Sequence, residues 1–217
     1  MKLRYTPHTP RLKIVDQYIR ELFRDELPAG IKYHDSNHTL HATKGVVAVA
    51  NRIALSEEIS EHDRELVIAA AYFHDTGYIR EYSKNEPIAA RAAGRILKLI
   101  GYRPEEIEKV QKMILATDLD CEPQTHLEKI LCDADLDHLG REDFFELDAK
   151  IREGRRGRGL DVGDDAKWYK ATLEIIKTHQ YYTESQKKMR EKKKQENIKK
   201  LLKKLENVEK RNATGRT

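Results

Sequence analysis

Apolar residues recur at spacings of three and four along most of this chain, the period of a helix that buries one face. The segments 10–26, 37–55, 61–75, 87–100, 104–116, 125–138, 141–153 and 165–180 all carry the pattern. Breakers lie between them: Pro28-Ala29-Gly30, Gly77, Pro87, Gly101, Pro104, Pro123 and the glycines between 154 and 163. Alternation of the strand type is hard to find, so the pattern predicts an all-α fold, a single helical bundle. Ser60 is expected to cap the helix that follows it, and Gly77 to supply the left-handed residue that ends that helix. The basic, glycine-rich run Gly154-Arg155-Arg156-Gly157-Arg158-Gly159 reads as a solvated loop.

Charge divides the chain into two regimes. Residues 186–211 hold twelve Lys or Arg against four acids, a local net of +8, which leaves −4 for the remainder. Met189, Ile198, Leu201, Leu202, Leu205 and Val208 add an apolar stripe to that segment, so a long charged helix that docks or pairs is expected, with a homodimer through it as one outcome. No aromatic residue in the segment offers a stacking surface, which disfavours nucleic acid as a partner. The expected organisation is an N-terminal helix over 1–29 that packs on a domain over 30–185, with a basic helix and tail over 186–217.

Composition narrows the class further. At 217 residues one core can be buried fully. Cys121 and Cys132 are too few and too far apart for a disulfide framework or a paired-cysteine zinc site. The opening Met1-Lys2-Leu3-Arg4-Tyr5 has no apolar run and no stretch approaches a membrane span, so a cytoplasmic chain without membrane contact is expected.

The chemistry centres on His74-Asp75. The pair closes the apolar run Leu66-Val67-Ile68-Ala69-Ala70-Ala71-Tyr72-Phe73, which carries an imidazole and a carboxylate into the core. A divalent cation would offset the cost of burying that carboxylate. His34-Asp35 and His62-Asp63 repeat the dipeptide, but His62-Asp63 sits in a polar helix start. Upstream, His34, His38 and His41 are spaced to share a helical face, and downstream Asp133, Asp135 and Asp137 lie among apolar residues. His41 is expected to pack, Asp133 to accept hydrogen bonds or cap a helix, and His179 to anchor the terminal helix; Asp118 and Asp120 are weaker candidates to approach the ion.

This ordered set of His, then His-Asp, then Asp resembles the HD-domain metal-dependent phosphohydrolases, over about residues 30–185. The resemblance implies an HD-type helical bundle with His38, His74, Asp75 and Asp135 as ligands of a divalent metal ion. Manganese, iron, cobalt, nickel, zinc or magnesium would suit those donors. Tyr33-His34, with His38 after it, is similar to a stretch of the cyclic-nucleotide phosphodiesterases in which the first His is the general acid; Asp35 stands here in place of an Asn. The segment Asp133-Ala134-Asp135-Leu136-Asp137-His138-Leu139-Gly140 looks like the fourth-ligand segment of other HD phosphohydrolases, whose second Asp matches Asp135.

The function so implied is hydrolysis of a phosphate monoester or phosphodiester, that of a nucleotide in particular, by a metal-activated water. Asp75 matches the family carboxylate that bridges to a second ion where two are bound, and His34 is placed as acid for the leaving oxygen. Lys44, Arg80 and Lys84 are candidates to hold phosphate oxygens, and Glu86 to orient water, around a small anionic phosphate-ester substrate. Two other classes compete: a non-catalytic nucleotide-sensing or nucleic-acid-associated module, and a di-iron oxygenase, which would need further His ligands.

Overall fold

A computed structural model describes residues 5–28 and 30–215. The residues before Tyr5, Ala29 of the first expected break and the last two residues of the polar end lie outside the described set. The described residues form helices and turns without a strand, so the fold is all-α. The helices are α1 (Pro10–Glu26), α2 (Ser36–Leu40), α3 (Val46–Ser56), α4 (Glu61–Phe73), α5 (Asn85–Ile100), α6 (Pro104–Leu115), α7 (His126–Asp135), α8 (Phe144–Gly157), α9 (Asp165–Thr178) and α10 (Glu184–Ala213). Short 3-10 turns at Thr76–Ile79 and Leu136–Gly140 follow α4 and α7.

The chain divides into two compact units, Met1–Leu136 and Asp137–Thr217. Leu12, Val15, Ile19 and Phe23 put α1 inside the core of the first unit, and α10 packs along α9 within the second. Neither terminal helix is an appendage.

In the first unit α4 is the axis. Every residue from Leu66 to Phe73 is buried, and α1, α3, α5, α6 and α7 all pack on this helix. Ala69, Ala70 and Ala71 are fully buried, and their small side chains let neighbouring helices come close on all sides. Burial of each large aliphatic side chain in such a core contributes about 1.5–3 kcal/mol. Ser60 accepts from the Asp63 N–H as the expected N-cap. Gly77 does not end the helix in a left-handed conformation; its φ is not among the positive values. A Cβ built at 77 would overlap the Asn85 carbonyl, so this glycine permits a close pass of backbone over backbone.

The expected helix over 37–55 is broken in two. The chain leaves α2 at His41 with extended backbone and re-enters at Gly45, whose N–H donates to the His41 carbonyl at 2.9 Å. A side chain at 45 would collide with the backbone of Thr39 and His41, so the turn requires glycine. In contrast, the run expected to be a loop at 154–159 is helical through Gly157.

The second unit is built differently, with buried polar groups between its helices. Asp137 is buried and accepts from Gln186 Nε2 at 2.8 Å and from Arg190 Nε and Nη2 at 2.7 and 3.1 Å. Asn197 Nδ2 donates to the carbonyls of Leu139 and Arg141, both at 2.9 Å. Lys194, almost fully buried, donates to the His179 carbonyl at 2.7 Å, and Asp148 accepts from Trp168 Nε1 at 2.9 Å and from Thr172 Oγ1 at 3.1 Å. Of the expected apolar stripe on α10, Ile198 and Leu201 are buried while Met189 is exposed.

Candidate metal centre

Three elements of the first unit deliver the cluster. Asp35 caps α2, accepting from the N–H groups of Asn37 and His38 at 2.8 and 3.0 Å, and so holds His38 at the mouth of the site. His74 is the C-cap of α4, where helical N–H bonding ends, and Asp75 follows at the start of the 3-10 turn. Asp135 is the last residue of α7.

His38 Nε2 lies 3.1 Å from Asp135 Oδ1, 3.3 Å from Asp75 Oδ2 and 3.4 Å from His74 Nε2. His74 Nε2 is 3.2 Å from Asp75 Oδ2 and 3.6 Å from Asp135 Oδ1. His74 Nδ1–H donates to the Ala71 carbonyl at 2.9 Å, which orients the ring and turns Nε2 toward the other three groups. The ligand atoms of His38, His74 and Asp135 all lie within 4.8 Å of one another. Asp75 Oδ2 is buried and has no hydrogen-bond partner, although two imidazole nitrogens stand beside it. An anionic oxygen orphaned among converging nitrogen and oxygen donors is the geometry that a divalent cation satisfies. The residues present therefore fit such an ion.

The electrostatics agree. Burial alone would push the His74 pKa down, yet Asp75 and Asp135 hold it well above the usual imidazole value. Burial would raise the two carboxylates, and the facing histidines overcome it: Asp75 is lowered by His74 and His34, and Asp135 is held well below the ordinary range by His38 and His74. The cluster demands positive charge at its centre, as protons or as a metal, and binding of a metal would release protons.

His34 is brought to the edge of this cluster. Its ring stacks on Tyr78 with centroids 4.1 Å apart, meets Tyr33 edge-on at 4.9 Å and lies 5.7 Å from the His38 ring. Burial lowers its pKa to about 4 against the opposing pull of Asp75 and Asp135, so the ring is neutral at neutral pH. Glu86, half-buried, accepts from Asn85 Nδ2 at 2.7 Å. Burial raises its pKa first, and Asp118, Asp75 and Asp135 raise it further, so Glu86 lies in the field of the ligand carboxylates.

The expected cations fare less well. Lys44 and Lys84 are exposed, Lys44 in the turn after α2 and Lys84 in a left-handed conformation before α5. Arg80 is directed elsewhere: its Nη2 lies 3.5 Å from Glu26 Oε2, and it lines a cavity between α1 and α5 that contains none of the four ligands. Arg80, expected as a candidate to hold a phosphate oxygen, thus faces a cavity other than the metal centre. His41 is exposed, its Nδ1 accepting from the N–H groups of Thr43 and Lys44 at 3.3 Å.

Sequence reasoning missed two features. Tyr78 and Tyr82 pack edge-on at 5.2 Å and enclose His34 together with Tyr33; their i,i+4 spacing was the available signal. Asn85 is buried with Oδ1 unpartnered, and nothing in its local sequence marks it.

Residues 37–140 match the family model described as HD domain. Neither the curated proteins nor the solved structures contain a match. The matched span begins one residue before His38 and contains His74, Asp75 and Asp135, so the stretch that matches also supplies the cluster. Residues 37–140 are thus similar to an HD domain, and the same stretch gathers His38, His74 and Asp135 at one point.

Proposed function

We propose that this protein is a metal-dependent phosphohydrolase that cleaves a phosphate monoester or phosphodiester of a nucleotide. The observation that carries the reading is the orphaned Asp75 Oδ2, buried between His38 Nε2 and His74 Nε2 and facing the same point as Asp135 Oδ1. A divalent ion held by these four residues supplies Lewis acidity toward a phosphoryl oxygen and lowers the pKa of water toward neutrality. Glu86, with its raised pKa and its place in the field of Asp75 and Asp135, accepts a hydrogen bond from water and orients it. His34 stands at the rim to pass a proton to the leaving oxygen. Its depressed pKa means that the ring takes up that proton only as an anionic phosphate arrives beside it. The rings of Tyr78 and Tyr82 beside His34 offer faces to a nucleobase, and Lys44 and Lys84 are exposed cations for outer phosphate oxygens.

Metal analysis of the purified protein, followed by a phosphate-release screen over nucleotides, cyclic nucleotides and aryl phosphates with each divalent ion, tests the reading. Stoichiometric metal and turnover that EDTA abolishes are expected. Metal without turnover on any of these would favour a nucleotide-sensing module instead.

A further inference from the structure

Arg80 points to a second site. The cavity it lines, of about 330 Å³, lies between α1 and α5 and is closed at one end by the 3-10 turn Thr76–Ile79. Clefts that hold small molecules run from about 300 to 1,000 Å³. One part of its wall is apolar, with Leu22, Ile88 and Ile96 and the ring of Tyr18, while Arg80, Arg91 and Arg95 bring three guanidinium groups to it. The acid among the lining residues is Glu26, which faces Arg80.

Arg91 and Arg95 stand four apart on α5, with Lys98 one turn further, so like charges face one another along one edge of the helix. Arg91 and Arg95 form no ion pair among the described residues, and both line the cavity. A second cavity, of about 600 Å³, opens on the other side of the same ridge and is also lined by Arg91, Arg95 and Lys98. A row of unpaired guanidinium groups above an apolar, tyrosine-bearing wall fits an anion with several phosphate charges and an aromatic body.

We propose that this cleft is a binding site for a nucleoside polyphosphate, separate from the metal centre. The phosphates lie along Arg91 and Arg95 with Arg80 at one end, and the base lies on the apolar wall against Tyr18. The cleft and the metal centre share the turn after α4. Thr76 and Ile79 face the cleft, Tyr78 stacks on His34, and Asp75 precedes the turn. Thr76 Oγ1 also donates to the Phe73 carbonyl at 2.8 Å, and the Phe73 ring lies 6.1 Å from that of Tyr18.

Calorimetric titration of the metal-free protein with ATP in EDTA tests the site apart from any turnover. Saturable binding that weakens as salt rises is expected. The R91Q/R95Q variant, which keeps the helix and the side-chain bulk, should bind ATP at least tenfold more weakly, whereas Asp75→Ala should bind it as the wild type does. Inorganic triphosphate should bind more weakly than ATP. The proposal is overturned by absence of ATP binding up to millimolar concentration, by equal affinity in R91Q/R95Q, or by loss of binding in Asp75→Ala. Triphosphate binding as tight as ATP would likewise overturn the nucleotide assignment, leaving a site for phosphate alone.

Discussion

The two compact units differ in how several of their buried polar groups are partnered. In the second unit Asp137, Asn197, Lys194 and Asp148 all have hydrogen-bond partners on other elements of the same unit, and those bonds tie helix to helix. In the first unit the core is aliphatic and alanine-rich, and the buried polar groups at its mouth are short of partners: Asp75 Oδ2 and Asn85 Oδ1 make no hydrogen bond. A satisfied buried network supports a fold, whereas an unsatisfied one in an otherwise well-packed unit waits for a ligand. At Asp75 the missing partner falls where donor atoms of His38, His74 and Asp135 converge, which marks it off from the orphaned Tyr5 and Tyr102 hydroxyls of the same unit.

The sharpest way to break that contrast is Asp75→Ala. Metal content should fall to background and phosphate release should disappear, while helical circular dichroism is kept. A variant that retains full metal would remove Asp75 from the ligand set. Next in size is His34→Ala, expected to slow esters with poor leaving groups by about two to four orders of magnitude. Aryl esters with good leaving groups should suffer far less, and equal losses on both would make His34 structural.

Asp137→Ala is the counterpart in the second unit. Removing one partner of a buried ion pair leaves Arg190 and Gln186 without their acceptor and should cost about 3–5 kcal/mol in denaturant unfolding. Metal content should be untouched, because no ligand lies in that unit. Ala70→Leu probes the first core directly. Overpacking the fully buried site should destabilise by about 1–3 kcal/mol, and a smaller loss would mean that α4 has room to shift.

A further test of the second unit concerns pH. Burial, with Lys194 nearby, lowers the His179 pKa to about 3, below its ordinary value of 6.5. The unfolded chain therefore binds a proton that the folded one refuses. This part of the stability is complete above the unfolded pKa and is lost as pH falls from about 6.5 toward 3, by at most about 1.4 kcal/mol per pH unit. His179→Gln should flatten the pH dependence of unfolding over that range; an unchanged slope would place the acid sensitivity elsewhere.

Much of the first unit was legible because its signals are local. The burial of Leu66–Phe73, the cap at Ser60 and the delivery of His74 to the end of α4 all follow from neighbouring residues. The break between α2 and α3 was not legible, because Gly45 is required by backbone atoms of Thr39 and His41 that come close only once the turn exists. In α10 the apolar stripe was visible, but the polar half of its buried face was hidden. Gln186, Lys194 and Asn197 find their partners at Asp137, His179, Leu139 and Arg141, and such distant hydrogen bonds leave no periodicity. Which way Arg80 faces was not legible either, since its direction is set by the 3-10 turn Thr76–Ile79 and not by neighbouring residues in the sequence.

The shortness of α2 sets how an ion would come and go. His38 rides on five residues joined to α3 through a glycine turn, and a helix of that length has little stability of its own. His74 and Asp135 belong to long helices packed in the core and move only with it. Exchange of metal should thus follow the local opening of α2, far faster than global unfolding. A chelator would remove the ion at a rate that does not track the stability of the core, and weakening the Asp35 cap would quicken its release.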